Sequence, residues 1–404
     1  MKHKVMGGTK IKQVKEDHNV AAKSGCIAKL PEPLLHHILS YLNMKNVIRT
    51  SVLAKRWRCS SLTVLALKGC IIQLPVKIKL GSLKTLSFDD VIFYGGAIND
   101  LLSSCSILED LSFANCSWGN NHDLIIRNSG VKTLKIRGGR FYANSTLEIN
   151  APFIVSFELI QGLFSKYYII KRMESLCSAS FVCSKSDACH DQVCTNFSNL
   201  EYLCHVKDHR MCSCYIQAVS SKENPTQDCR EKHTVDFISF DVTCLRIRTG
   251  LMKCELPGIA YILSHSPNVE ALIITIEIPA IHEKELNDNF QEEEYWNLQE
   301  QKFVNVLCNL KDVKIYNFMK NLSWLESRQM GTSDDFLAHL KKDMNFLKFL
   351  LTNSMAMDRM TITTFKKVNF GRNSENKKVK LLLQLTQELL SFPRASRAAQ
   401  ISFN

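Results

Sequence analysis

The side chains best suited to chemistry gather in one stretch of this 404-residue chain. Cys177, Cys183, Cys189, Cys194, Cys204, Cys212 and Cys214 fall there, with His190, His205 and His209 among them. Thiolates and imidazoles are the ligands of structural zinc, and a thiol beside an imidazole is a nucleophile with its base. The spacing argues against both. Zinc sites favour Cys-x-x-Cys pairs, because two thiolates on one turn reach one ion. Here the close pair is Cys212-x-Cys214, and no second matched pair answers it. No HExxH, P-loop or GxGxxG occurs, and Gly95-Gly96 and Gly138-Gly139 read as turns. The expectation is no metal, no cofactor and no catalytic residue. The 16 cysteines then serve as small core residues or loop thiols in a reducing compartment, because the N-terminus has no apolar signal region.

What would position these residues is a recurring phrase, Leu-x-x-Leu-x-apolar. It runs through Leu62–Leu67, Leu83–Phe88, Leu108–Phe113 and Val131–Ile136, in steps of 21, 25 and 23 residues. Weaker copies start near Phe153, Met173, Asn199, Thr243, Asn268 and Asn309. Alternating apolar residues suit a short strand with one buried face. One such unit cannot cover its own apolar face, so copies must stack. Helical patterns at Ile98–Cys105 and Ile259–His265 alternate with the strands. This alternation favours a leucine-rich-repeat solenoid over an antiparallel β-domain. Two polar stretches, 207–232 and 281–300, read as loop insertions.

The chain carries 51 Lys and Arg against 39 Asp and Glu, a net +12. Part of the excess lies in residues 1–26, a basic leader read as disordered. Its lysines are spread out and have no interleaved aromatics for base stacking, so nucleic acid is not the expected partner. No run approaches the roughly 18 apolar residues that a bilayer span needs. The expected location is nucleus or cytoplasm.

Residues 27–60 are apolar at helical spacing. Leu34, Leu35, Ile38, Leu39 and Leu42 line one face behind Pro31 and Pro33, and Val52, Leu53 and Trp57 follow. The Leu-Pro-x-x-Leu-Leu-x-x-Ile-Leu-x-x-Leu opening and the Arg-Thr-Ser-Val-Leu-x-Lys-Arg-Trp close resemble an F-box. They match plant F-box proteins that carry leucine-rich repeats and a C-terminal FBD segment. Phe346–Ile362 and Leu389–Phe403 resemble that FBD segment.

The resemblance implies an α/β architecture: a short helical F-box, a repeat solenoid over 61–320, and an FBD-type α+β cap over 321–404. It also implies a non-catalytic substrate receptor of an SCF-type ubiquitin ligase. Leu30, Pro31, Leu34, Leu35, Ile38, Leu39, Leu42, Val52, Leu53 and Trp57 would contact a Skp-type adaptor, which bridges to a cullin and RING scaffold. The repeats would hold an unknown target protein. The chain departs from the family in one respect: Leu62 follows Trp57 within a few residues, where the family has a long block of strands. A repeat scaffold that no longer assembles a ligase is the alternative.

Overall fold

The computed structural model describes residues 62–72, 80–94, 97–118, 123–139, 146–161, 167–170, 173–183, 203–223, 239–278, 295–299, 303, 306–320, 333–365 and 374–404. The basic leader and all ten expected adaptor contacts, from Leu30 to Trp57, lie outside the described residues.

In chain order the strands are β1 (Val64–Lys68), β2 (Ile71–Ile72), β3 (Thr85–Asp89), β4 (Ile92–Phe93), β5 (Asp110–Ala114), β6 (Ser117–Trp118), β7 (Leu124–Ile126), β8 (Thr133–Arg137) and β9 (Thr146–Ile149). There follow β10 (Ser156–Gln161), β11 (Tyr167–Ile170), β12 (Ser178–Cys183), β13 (Asp208–Met211), β14 (Cys244–Thr249), β15 (Ala271–Ile276), β16 (Asp312–Phe318), β17 (Arg359–Thr364) and β18 (Gln400–Phe403). The helices are α1 (Ala97–Ser103), α2 (Ser213–Glu223), α3 (Leu256–Ser264), α4 (Tyr295–Gln299), α5 (Ser333–Asn353) and α6 (Ser374–Ser391). Twelve strands form one sheet in the order β1-β3-β5-β8-β10-β12-β13-β14-β15-β16-β17-β18. Every pairing in it is parallel. The parallel pairings exclude the antiparallel alternative.

Register turns the repeated phrase into two continuous apolar rows. The first is Leu65, Leu86, Leu111, Leu134, Phe157, Ala179, His209, Leu245, Leu272, Val313, Met360 and Ile401. The second is Leu67, Phe88, Phe113, Ile136, Leu159, Phe181, Met211, Ile247, Ile274, Ile315, Ile362 and Phe403. Both rows are buried from β3 to β17. Each strand therefore covers its neighbour's apolar face, as a stacked repeat requires. Residues between the rows face the other side, where they are half-buried or exposed.

Two local devices set the repeat. The first is a turn before most strands of the main sheet, closed by a backbone bond from the fourth residue to the first, as from Leu83 to Leu80, Leu108 to Cys105, Leu176 to Met173, Val269 to Ser266, Leu310 to Leu307, Met357 to Ser354 and Ala399 to Ser396. Both ends of these turns are buried. The second is a left-handed residue directly after each of the first four repeat strands: Gly69 (φ 60), Asp90 (φ 55), Asn115 (φ 53) and Gly138 (φ 63). Glycine, asparagine and aspartate adopt that conformation at least cost. The bend sends the chain into β2, β4 and β6, which form a second parallel sheet, and β7, β9 and β11 form a third.

The segment 207–232, expected to be a loop insertion, contains β13 and α2. Strand β13 sits inside the main sheet between β12 and β14. Its polar sequence misleads because His209 occupies a slot that an apolar residue fills in each of the other strands of the sheet. Helix α2 buries Tyr215, Ile216 and Val219. It packs so closely on α3 that a Cβ on Gly258 would fall 2.1 Å from the Ile216 carbonyl oxygen. Likewise 281–300 ends in α4, whose buried Trp296 lies 4.7 Å, centroid to centroid, from both Phe346 and Phe349 of α5. Beyond residue 320, β17 and β18 extend the same sheet in the same register. No helix among the described residues is long and apolar enough to cross a membrane.

Candidate functional site

The sheet face opposite the apolar rows is the surface on which charged side chains are ordered. Parallel register fixes their neighbours, so most meet an opposite charge one strand away. Lys68 lies 2.6 Å from Asp89, its register partner. Arg137 lies 2.7 Å from Glu158. At the strand starts Glu109 is shared by Lys84 at 3.5 Å and Lys132 at 3.2 Å. Hydrogen bonds and charge from Lys132, then from Lys84, hold its carboxyl below the ordinary range. Such exposed pairs fix orientation more than they stabilise.

Toward the C-terminal end the face becomes arginine-rich. Arg246 donates from Nε to Asp208 at 2.9 Å and from Nη2 at 3.3 Å. That hydrogen bond raises the arginine's pKa. Arg248 pairs with Glu277. Asp312 takes Lys314 at 2.9 Å and Arg359 at 3.0 Å. Partial burial pushes the Asp312 carboxyl up, but the two cations outweigh this and leave it lowered. Arg210 is exposed and makes no ion pair among the described residues.

The cysteine-rich stretch resolves into separate structural roles. Cys212 is buried, Cys204 and Cys214 are half-buried, and Cys177 is exposed. His205 Nε2 lies 2.9 Å from the Met173 carbonyl oxygen. No group of three potential metal ligands occurs among the described residues. Cys189, Cys194, His190 and the Cys183 side chain lie outside them. Elsewhere, burial pushes the Cys116 thiol up to about 11, which keeps it from ionising.

His209 is the anomaly. Its side chain is fully buried in the first apolar row, and neither ring nitrogen has a hydrogen-bond partner. The ring meets Phe181 and Tyr215 edge-on, at 5.9 Å from each. Burial drives its pKa down to about 4, so the ring is neutral. Glu255, also fully buried, ties down the 249–252 turn. Its Oε2 accepts from Thr249 Oγ1 at 3.0 Å, the Gly250 amide at 3.0 Å and the Met252 amide at 2.9 Å. Sequence patterning missed Glu255, and it saw His209 only as one of the histidines among the clustered cysteines. The only signal was a polar residue in an apolar slot.

A parallel sheet built one strand per repeat, with paired charges on one face and leucine and phenylalanine rows on the other, defines a leucine-rich-repeat protein of the α/β, solenoid-like kind. The model of the At1g61320/AtMIF1 LRR domain matches residues 32–328. Three relatives from Arabidopsis thaliana add detail. A putative F-box protein, At3g58910, is 32% identical over 133 residues, 27% of this chain and 62% of its own length. A putative F-box/FBD/LRR-repeat protein, At5g22610, is 66% identical over 32 residues, 8% of this chain and 6% of its own. F-box/LRR-repeat protein 25 is 55% identical over 40 residues, 10% of this chain and 16% of its own. The matched part of the chain thus spans less than two thirds of each relative. The chain belongs to the plant F-box/leucine-rich-repeat/FBD family.

Proposed function

We propose that this chain is a substrate-recognition subunit of an SCF-type ubiquitin ligase, not itself catalytic. Residues 27–60 bind a Skp-type adaptor, and through it a cullin and RING scaffold, by way of Leu30, Pro31, Leu34, Leu35, Ile38, Leu39, Leu42, Val52, Leu53 and Trp57. The charged face of the repeat sheet over 61–320 holds the target protein, and residues 321–404 close the array. The protein works in the nucleus or cytoplasm by raising the target's effective concentration near a charged ubiquitin-conjugating enzyme. The observation that carries this reading is the family membership together with the apolar helical pattern of Leu34 to Leu42.

A second reading has its own observation: only four residues separate Trp57 from Leu62, where the family has a block of strands. On that reading the chain is a repeat scaffold that no longer assembles a ligase. Pull-down of the co-expressed full chain and a Skp-type adaptor separates the two. Retention by the wild type, and its loss in Leu39→Asp, is the expected result, because the substitution puts an unpaired charge into an apolar contact. A soluble, folded wild type that retains no adaptor sinks the ligase reading.

A further inference from the structure

The sheet face between β12 and β17 holds more positive charge than its own carboxylates neutralise. Register places Arg210, Arg246, Ile273 and Lys314 side by side on four consecutive strands. Like charges directly opposite one another destabilise a sheet, so the Arg210–Arg246 neighbourhood does not serve the fold. Asp208 is committed to Arg246, Glu277 to Arg248, and Asp312 is divided between Lys314 and Arg359. Lys207 and Lys311, at the rim, are matched by Asp241 and Glu270. On the other side of Arg210 its register partner is Ser180, whose buried hydroxyl has no hydrogen-bond partner. A row of serine, two arginines, isoleucine and lysine thus lacks an anion at one end and half an anion at the other.

We propose that this row binds an acidic, extended peptide segment of the target. The proposal rests on the reading that the repeat sheet is the target-holding face, and it names the chemistry of what is held. The spacing supports it. Neighbouring strands lie about 4.8 Å apart, so the gap between Arg210 and Arg246 is roughly 12 Å from Lys314. An extended chain advances about 3.3 Å per residue and turns every second side chain to the same face. A carboxylate seated between the arginines therefore places the second residue onward over Ile273 and the fourth at Lys314. The segment recognised is acidic-x-apolar-x-acidic. Each carboxylate meets a cation that the fold itself leaves incompletely paired.

The test is fluorescence anisotropy of the full chain with a labelled peptide containing Glu-Thr-Val-Thr-Glu, against its Gln-Thr-Val-Thr-Gln counterpart. The glutamine peptide should bind about tenfold more weakly, as should the glutamate peptide to Arg210→Glu, the size expected for one charge-assisted hydrogen bond. Lys314→Gln should act on the same peptide in the same direction. Adaptor retention of both variants should match the wild type, and Arg210→Glu, which removes a like-charge neighbour of Arg246, should not lower the melting temperature. Equal binding of the two peptides, or no effect of Arg210→Glu, overturns the proposal while leaving the adaptor result standing. Tighter binding of a thymidylate oligonucleotide of equal length also overturns it, by assigning the cations to nucleic acid. Loss of the adaptor reading alone leaves the peptide difference intact, so the two failures are distinguishable.

Discussion

From β1 to β10 each strand of the main sheet begins 21 to 25 residues after the previous one, and the described return paths carry the short strands β2, β4, β6, β7 and β9 and the helix α1. From β13 to β18 the interval runs from 27 residues to 47, and every return path includes a helix. Both halves cover the same two apolar rows, but among the described residues the first does so with short parallel strands and the helix α1, and the second with a helix in every return path. The first half consequently draws its core from aromatic side chains fixed at one repeat distance. Phe88 and Phe113 stack at 5.3 Å, and Phe93 and Trp118 stack at 6.0 Å in the adjoining short strands. The second half is aliphatic in the sheet, with Ile247, Ile274, Ile315 and Ile362 in one row. It also gathers aromatics where helices meet, as at Trp296, Phe346 and Phe349. A uniform repeat length allows one shape to be stacked, whereas variable lengths leave each gap to be filled by its own helix.

Phe113→Ala is expected to have the largest effect on this comparison. The ring is buried among Phe88, Phe93 and Trp118, and these neighbours belong to two successive repeats that cannot collapse independently. Truncation should cost about 3–5 kcal/mol, measured by chemical denaturation. A cost below about 1 kcal/mol would mean the first half is loosely packed, and the contrast with the helical half would fail.

His209 marks the junction between the halves, and acid should loosen the molecule there. Its pKa falls from the ordinary 6.5 to about 4 because the ring is fully buried. Asp208 is the charged group beside it and pulls the other way. Below pH 6.5 the unfolded chain takes up a proton that the folded chain refuses. Stability should therefore be complete above about 6.5 and fall progressively toward pH 4, by at most about 3 kcal/mol from this group. His209→Leu should flatten that slope and raise stability at pH 5, since it removes two unpartnered buried nitrogens from an apolar row. Melting curves at pH 7 and pH 5 for both proteins decide it. An unchanged pH slope in the variant would show that another group governs the acid response.

The same residue explains how far the sequence could be read. The strands β3, β5 and β8 and the helices α1 and α3 were legible, because leucine at fixed offsets has one economical use in a stacked sheet. Strand β13 was not, because Asp208-His209-Arg210-Met211 alternates in the right period with a polar residue in the inward slot. Burial of an unpartnered imidazole is a tertiary outcome that no local pattern announces. Helix α4 was hidden for a similar reason, since one buried tryptophan anchors a five-residue segment whose other residues are exposed or half-buried. The charged face was visible only as composition. Which arginine stands beside which carboxylate depends on register across strands 27 to 47 residues apart, a distance at which sequence carries no sign of pairing. The expected adaptor contacts lie outside the described residues, so their reading rests on the motif and the family.

The finest distinction within the regular half concerns its left-handed bends. Gly69, Asp90, Asn115 and Gly138 occupy one position in four successive repeats, but their surroundings differ. A Cβ on Gly138 would fall 2.7 Å from Asn115 Oδ1, whereas a Cβ on Gly69 would meet nothing within 4 Å. Gly69→Ala therefore isolates the backbone cost of a positive φ, which is about 1 kcal/mol for an L-residue. Gly138→Ala adds to that cost the displacement of an asparagine side chain, so it should be the more destabilising of the two. Equal losses in denaturant unfolding would mean that the bend at β8 has as much room as the one at β1. The larger loss at Gly138 would show the repeats tightening inward from the first strand, so that the edge at β1 is the softest part of the regular half.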